Sequence, residues 1–192
     1  SDELTCFLEN ELHLHHHRFK RGYKNVINEC IRLNEEGTIS PLAIETSGHG
    51  ALSENHYLDD GAYLAVKLLI AATKAKKEGR TLQSLIERLA HPLESSEYRL
   101  KIKGVEDAKD YAGEVLNAFA ARAKESGIKI AEPSYEGVRL IFPQGWALLR
   151  MSLHDPNMPL NIESREKGGT DIIAKKVKTL LSDLTSLDLS VL

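Results

Sequence analysis

The sequence predicts two consecutive domains: an α/β domain with a mixed sheet flanked by helices and lacking its first strand, then an α+β domain with an antiparallel sheet packed on helices. Two observations carry this. Ahead of residue 92, helical and strand patterns alternate, as in layered α/β domains. After residue 97 the order becomes one strand, a long helix, several strands and a last helix. Length agrees, because 192 residues suffice for two small domains with modest cores. The boundaries are read at 1–92 for the first domain, 93–97 for a linker and 98–192 for the second.

Leu4–Asn10 reads as a helix, and no strand precedes it to start a βαβ unit. Asn25–Leu33 is a second helix, with Cys30 as a small core residue, and Leu42–Ile44 a short buried strand. Leu64, Val66, Leu68, Leu69, Ile70 and Ala72 cover nearly every face of a helix from Ala62 to Lys77, a pattern that predicts burial. An aspartate of Asp59-Asp60-Gly61 can cap its start, and Lys76 and Lys77 close it before Gly79. Thr81 suits the cap of a further helix, Leu82–Leu89, ended by His91-Pro92. In the second domain Tyr98–Ile102 is a strand, Val105–Ser126 a long helix and Thr170–Leu184 the last helix. Val138, Leu140 and Phe142 alternate toward one face, Pro143-Gln144-Gly145 turns the chain, and Trp146–Ser152 returns as the next strand.

Composition narrows the partners. A net charge of -3 gives no general field that would attract nucleic acid. No apolar run approaches the roughly 20 residues that span a bilayer, and residues 1–20 are too polar for a signal peptide. Cys6 and Cys30 form no CxxC pair, which points to a reducing cytoplasm.

Glu45-Thr46-Ser47-Gly48-His49-Gly50 directly follows the short strand. In an extended segment Glu45, Ser47 and His49 project to one side, bringing a carboxylate, a hydroxyl and an imidazole to a strand's carboxyl end. Such a set can bind a polyol and move a proton; the alternative is a polar surface turn. Arg150 and Ser152 share one face of a strand end before Leu153-His154-Asp155-Pro156 and can receive a phosphate. The competing reading pairs Arg150 with Glu163 across strands. Arg18-Phe19-Lys20-Arg21-Gly22-Tyr23-Lys24 is either a loop facing a phosphorylated sugar or a solvated charged loop. His13, His15, His16 and His17 lack a distant ligand cluster that would complete a metal site. Asp59-Asp60 suits capping better than magnesium.

Taken in order, these motifs resemble the third and fourth domains of the α-D-phosphohexomutases, the phosphomannomutase/phosphoglucomutase family. Glu45-Thr46-Ser47-Gly48-His49 matches the family's Glu-x-Ser-Gly-His sugar loop, and Asp59-Asp60-Gly61 follows at a similar spacing. Phe19–Lys24 resembles the loop around the family's Thr-Gly-x-Lys-type segment, with Arg21 in place of the threonine. Arg150, Ser152 and Pro156 match an Arg-x-Ser-x-Thr-x-Pro phosphate loop, in which His154 replaces the threonine.

The resemblance implies a parent enzyme that interconverts hexose 1-phosphate and hexose 6-phosphate through a phosphoserine and a bisphosphate. It implies sugar binding by Glu45, Ser47, Lys20, Arg21, Tyr23 and Lys24, proton transfer by His49, and phosphate binding by Arg150, Ser152 and His154. The family's phosphoserine loop and its Mg2+-binding Asp-x-Asp-x-Asp-Arg loop have no counterpart in this sequence. The chain is therefore expected to be an inactive C-terminal part whose partners are a hexose phosphate and N-terminal domains of the same chain; a stand-alone sugar-phosphate binding module is the alternative.

Overall fold

The computed structural model describes residues 2–152 and 155–192. They divide into two compact units, Asp2–Ala90 and His91–Leu192.

The first unit opens with a helix, α1 (Asp2–Cys6), that widens into a π turn over Phe7–Glu11. After an irregular stretch through the histidines, α2 (Tyr23–Glu35) packs on a hairpin of β1 (Leu42–Ile44) and β2 (Gly50–Leu52). The hairpin pairs Leu42 with Leu52 and Ile44 with Gly50, antiparallel. Cys30 is buried on α2 and reaches the Ser40 carbonyl at 3.2 Å, so it is a packed residue as expected. α3 (Gly61–Lys77) starts where Asp60 accepts the Tyr63 N–H at 2.9 Å. The expected helix Leu82–Leu89 is only a 3-10 turn, Gln83–Ile86.

The α/β region expected of this unit is present, built among the described residues on a two-stranded antiparallel hairpin. Lacking further strands, the hairpin covers little: Ala43 is buried, whereas Leu42 and Ile44 are exposed. The same shortage leaves α3 uncovered. Val66, Leu68 and Leu69 are 52%, 56% and 67% exposed, although their pattern predicts a buried helix.

The second unit is an antiparallel five-stranded sheet in the order β3-β7-β6-β5-β4, formed by Glu94–Lys101, Asn157–Ser164, Gly145–Arg150, Gly137–Phe142 and Lys129–Ile130 respectively. Helices α4 (Ala108–Glu125) and α5 (Gly169–Leu181) cover one face. Alternation fills the space between them: Leu100, Leu140, Leu149, Leu160 and Ile162 meet Val115, Phe119, Ile173 and Val177, all fully buried. Burying such side chains contributes about 1.5–3 kcal/mol each. The stretch 93–97, expected to link domains, is instead mostly strand, because Glu94–Glu97 pair with Ser164–Asn161. Glu94 also closes the start of α5. Its carboxylate accepts the Gly168 N–H at 2.6 Å and the Thr170 N–H at 3.1 Å, bonds that hold its pKa below the usual carboxylate value. Gly168, at the cap position, has no side chain to do so.

Candidate functional site

The Glu45–His49 motif lies in the turn of the β1–β2 hairpin. The Glu45 N–H donates to the His49 carbonyl at 2.8 Å and the Gly48 N–H to the Glu45 carbonyl at 2.9 Å. Gly48 takes a φ of 94°, a left-handed value that favours glycine, and so reverses the chain. The segment is therefore not extended, and the period-two argument for Glu45, Ser47 and His49 does not apply. A tight turn gathers the side chains in a different way.

Glu45 and Ser47 face each other directly. The carboxylate accepts the Ser47 N–H at 2.7 Å, a close bond from the Ser47 hydroxyl, and the Thr46 hydroxyl at 3.1 Å. These donors, the Ser47 hydroxyl first, lower the Glu45 pKa, and the nearby Arg21 charge adds to the effect. Glu45 is thus an ionised acceptor beside a rotatable hydroxyl, a pair that can exchange its mutual bond for bonds to a polyol.

His49 turns to another partner. Its Nδ1 lies 2.7 Å from Asp59, whose second oxygen accepts the Gly50 N–H at 3.2 Å. The Tyr23 ring stacks on the imidazole, with centroids 4.8 Å apart and planes 26° from parallel. Tyr23 begins α2 directly after Gly22, and the Lys24 ammonium lies 5.9 Å from its ring centroid. Arg21, Tyr23 and Lys24 are thereby brought beside Glu45, Ser47 and His49. Lys20 is exposed, in the irregular stretch before Gly22.

The histidine run has other work. His16 Nδ1 meets the Thr5 hydroxyl at 2.8 Å, and His17 Nε2 lies 2.9 Å from Glu29 on α2. Glu29 is buried, and its pKa falls to about 2, chiefly because Arg32 donates two bonds at 2.8 Å and secondarily because of His17. His17 thus ties the segment that leads to Arg21 and Tyr23 down onto α2.

Of the two aspartates before α3, Asp60 is the one that caps the helix, and Asp59 is the His49 partner that the sequence leaves unmarked. No local signal marks Asp59; the loop Ser53–Leu58 must first return the chain to bridge Ala51. Both aspartates are engaged as acceptors, and no group of three His, Cys, Asp or Glu among the described residues could hold a metal. The residues therefore do not fit the Mg2+ that the family resemblance implies for its parent enzyme.

In the second unit Arg150 ends β6, on the sheet face opposite the buried Ala147 and Leu149. The expected alternative, an Arg150–Glu163 pair, is overturned by register: Trp146, four residues earlier, lies across from Glu163. Among the described residues no carboxylate comes within ion-pair distance of Arg150, and its buried Nε has no hydrogen-bond partner. Its charge still reaches Glu97, whose pKa is lowered first by a 3.1 Å bond from Asn161, then by Arg99, with Arg150 adding a smaller share.

Space for Arg150 comes from Gly137, its register partner on β5, with a φ of 153°. A methyl group at Gly137 would lie 2.1 Å from the Leu149 carbonyl oxygen and 3.0 Å from Arg150 Cβ. Trp146 lies on the Arg150 face under the Arg139 guanidinium at 4.5 Å. Ser152 receives the Asp155 N–H on its hydroxyl at 3.3 Å and lines an open cavity of about 240 Å³ with Lys109, Asp155 and Asn157. His154 lies outside the described residues.

Comparison with known proteins matches residues 8–93 to the model of phosphoglucomutase/phosphomannomutase, alpha/beta/alpha domain III. A phosphomannomutase/phosphoglucomutase of Pseudomonas aeruginosa is 29% identical over 161 residues, covering 83% of this chain and 31% of that protein. A probable phosphoglucosamine mutase of Methanocella arvoryzae is 23% identical over 71% of this chain and 28% of its own length. A crystal structure of a phosphoglucomutase/phosphomannomutase family protein from Burkholderia thailandensis superposes with a TM-score of 0.68 at 23% identity. That match covers 93% of this chain and 34% of the other, and it shows the shared fold. The chain thus spans about a third of the length of the relatives it matches. No helix among the described residues is long and apolar enough to cross a membrane.

Proposed function

We propose that this chain, which belongs to the phosphoglucomutase/phosphomannomutase family, supplies sugar and phosphate recognition to a phosphohexomutase. The parent reaction interconverts hexose 1-phosphate and hexose 6-phosphate through a phosphoserine enzyme and a bisphosphate. Positioning and charge neutralisation dominate such transfers, so recognition elements contribute directly to rate. One observation carries the reading. Within the stretch matched to domain III, the turn holding Glu45, Ser47 and His49 is packed against the basic and aromatic start of α2.

On this reading Glu45 and Ser47 exchange their mutual hydrogen bonds for the ring hydroxyls of the sugar. His49 accepts a proton from the reacting hydroxyl, and Arg21, Lys20 and Lys24 add positive charge around it. Tyr23 backs the His49 imidazole with its ring. In the second unit Arg150 provides its guanidinium to a phosphate, and Ser152 and His154 add polar contacts. The phosphoserine and magnesium belong to the part of the longer enzyme outside these residues, and the chain by itself has no mutase activity. Cys6 and Cys30 are free thiols, which suits work in the cytoplasm.

Each half is tested separately by calorimetric titration of the 192-residue chain. Weak saturable binding of glucose 1-phosphate or mannose 1-phosphate, lost in Glu45→Gln, supports the sugar half. Binding of inorganic phosphate that Arg150→Ala leaves unchanged removes the role given to Arg150.

A further inference from the structure

Histidine in water has no fixed proton position, and either ring nitrogen can carry it. A histidine that must always present the same face to a ligand therefore needs a partner for its other nitrogen. His49 has such a partner, and its ring is held from three directions. Its backbone belongs to the hairpin turn, its Nδ1 lies 2.7 Å from Asp59 Oδ2, and Tyr23 stacks on its face. Asp59 is held in turn, because its Oδ1 accepts the Gly50 N–H at 3.2 Å and its backbone bridges Ala51. The carboxylate thus cannot swing away without breaking contacts to β2.

From this geometry we propose that Asp59 is the positioning residue that fixes His49 as its Nδ1–H tautomer and leaves Nε2 as the acceptor for a sugar hydroxyl. An ionised carboxylate only accepts hydrogen bonds, so the proton between the two groups belongs to Nδ1. With that proton placed, Nε2 of the neutral ring carries a lone pair. The neighbouring carboxylates do not compete for the ring: Glu45 is occupied by Thr46 and Ser47, and Asp60 by Tyr63 and Asn55. The hydroxyl as ligand rests on the sugar-binding reading above, whereas the tautomer does not.

Nitrogen NMR of the imidazole tests the two apart. In the unsubstituted chain with a neutral His49 ring, Nδ1 should show the protonated shift and Nε2 the unprotonated one. Asp59→Asn retains an oxygen for the Gly50 N–H but no longer demands a donor from the ring, so the Nε2 signal should move toward the protonated value. An Nε2–H tautomer in the unsubstituted chain overturns the proposal, as does an unchanged tautomer in a folded Asp59→Asn protein. Should that variant fail to fold, the first measurement still decides. Titration with glucose 6-phosphate adds a separate readout. A tautomer that depends on Asp59 in a chain that binds no sugar phosphate supports the positioning role and sinks only the sugar-binding reading.

Discussion

The two units use apolar residues in opposite ways. In the second, alternating strand positions meet two amphipathic helices, and Phe119, Leu160 and Val177 lose all contact with solvent. In the first, the longest apolar helix, α3, keeps Val66, Leu68, Leu69 and Ile70 about half or more exposed. The patterns in sequence are comparably strong. The lesson is that hydrophobic periodicity states what an element needs covered, and only the number of neighbouring strands decides whether it is covered.

Mutations can break or sharpen this contrast. The largest expected effect is Phe119→Ala, which removes a fully buried ring and should cost about 3–5 kcal/mol in urea unfolding of the second unit. The matching change on α3, Leu69→Ala, should stay within about 0.5 kcal/mol, since the side chain is 67% exposed. A large loss at Leu69 would show that α3 is covered in solution. Between these extremes, Gly137→Ala should cost about 1–3 kcal/mol, because its methyl group would collide with the Leu149 carbonyl. Amide spectra of β5 and β6 should report that distortion next to Arg150.

A smaller effect concerns the polar side of the first unit. Folding holds the Glu29 carboxyl at about 2 against an ordinary value of 4.5. A depressed acid stabilises the fold above the ordinary pKa and loses that contribution as pH falls toward the folded one. Stability of the first unit should therefore decline between about pH 4.5 and 2, and Glu29→Gln should flatten this part of its pH profile. An unchanged profile would detach His17 and Arg32 from the anchoring of the loop before Tyr23.

The candidate site was legible in part. The Glu-x-Ser-Gly-His order locates the motif and the basic loop is a second candidate for sugar contact, but the period-two reason for convergence assumes an extended strand. The hairpin turn replaces it, with Gly48 reversing the chain and Ser47 folding back on Glu45. Either aspartate of Asp59-Asp60 could cap the helix that follows, and nothing local marks Asp59 as the partner of His49. The Arg150–Glu163 alternative failed for a related reason. Register along β6 and β7 separates two residues that the strand pattern allowed to pair.

By itself the sequence determined what depends on near neighbours along the chain. Asp60 caps α3, Pro143 and Gln144 turn β5 into β6, Cys30 packs inward, and the ordered motifs point to one family. Tertiary structure alone decided which carboxylate reaches His49, what Arg150 faces, that Glu94 closes α5, and that α3 stays uncovered. Caps, turns and periodicities act over a few residues and leave local signatures. Side-chain partners and coverage depend on strand number and register, which are set only when distant segments meet.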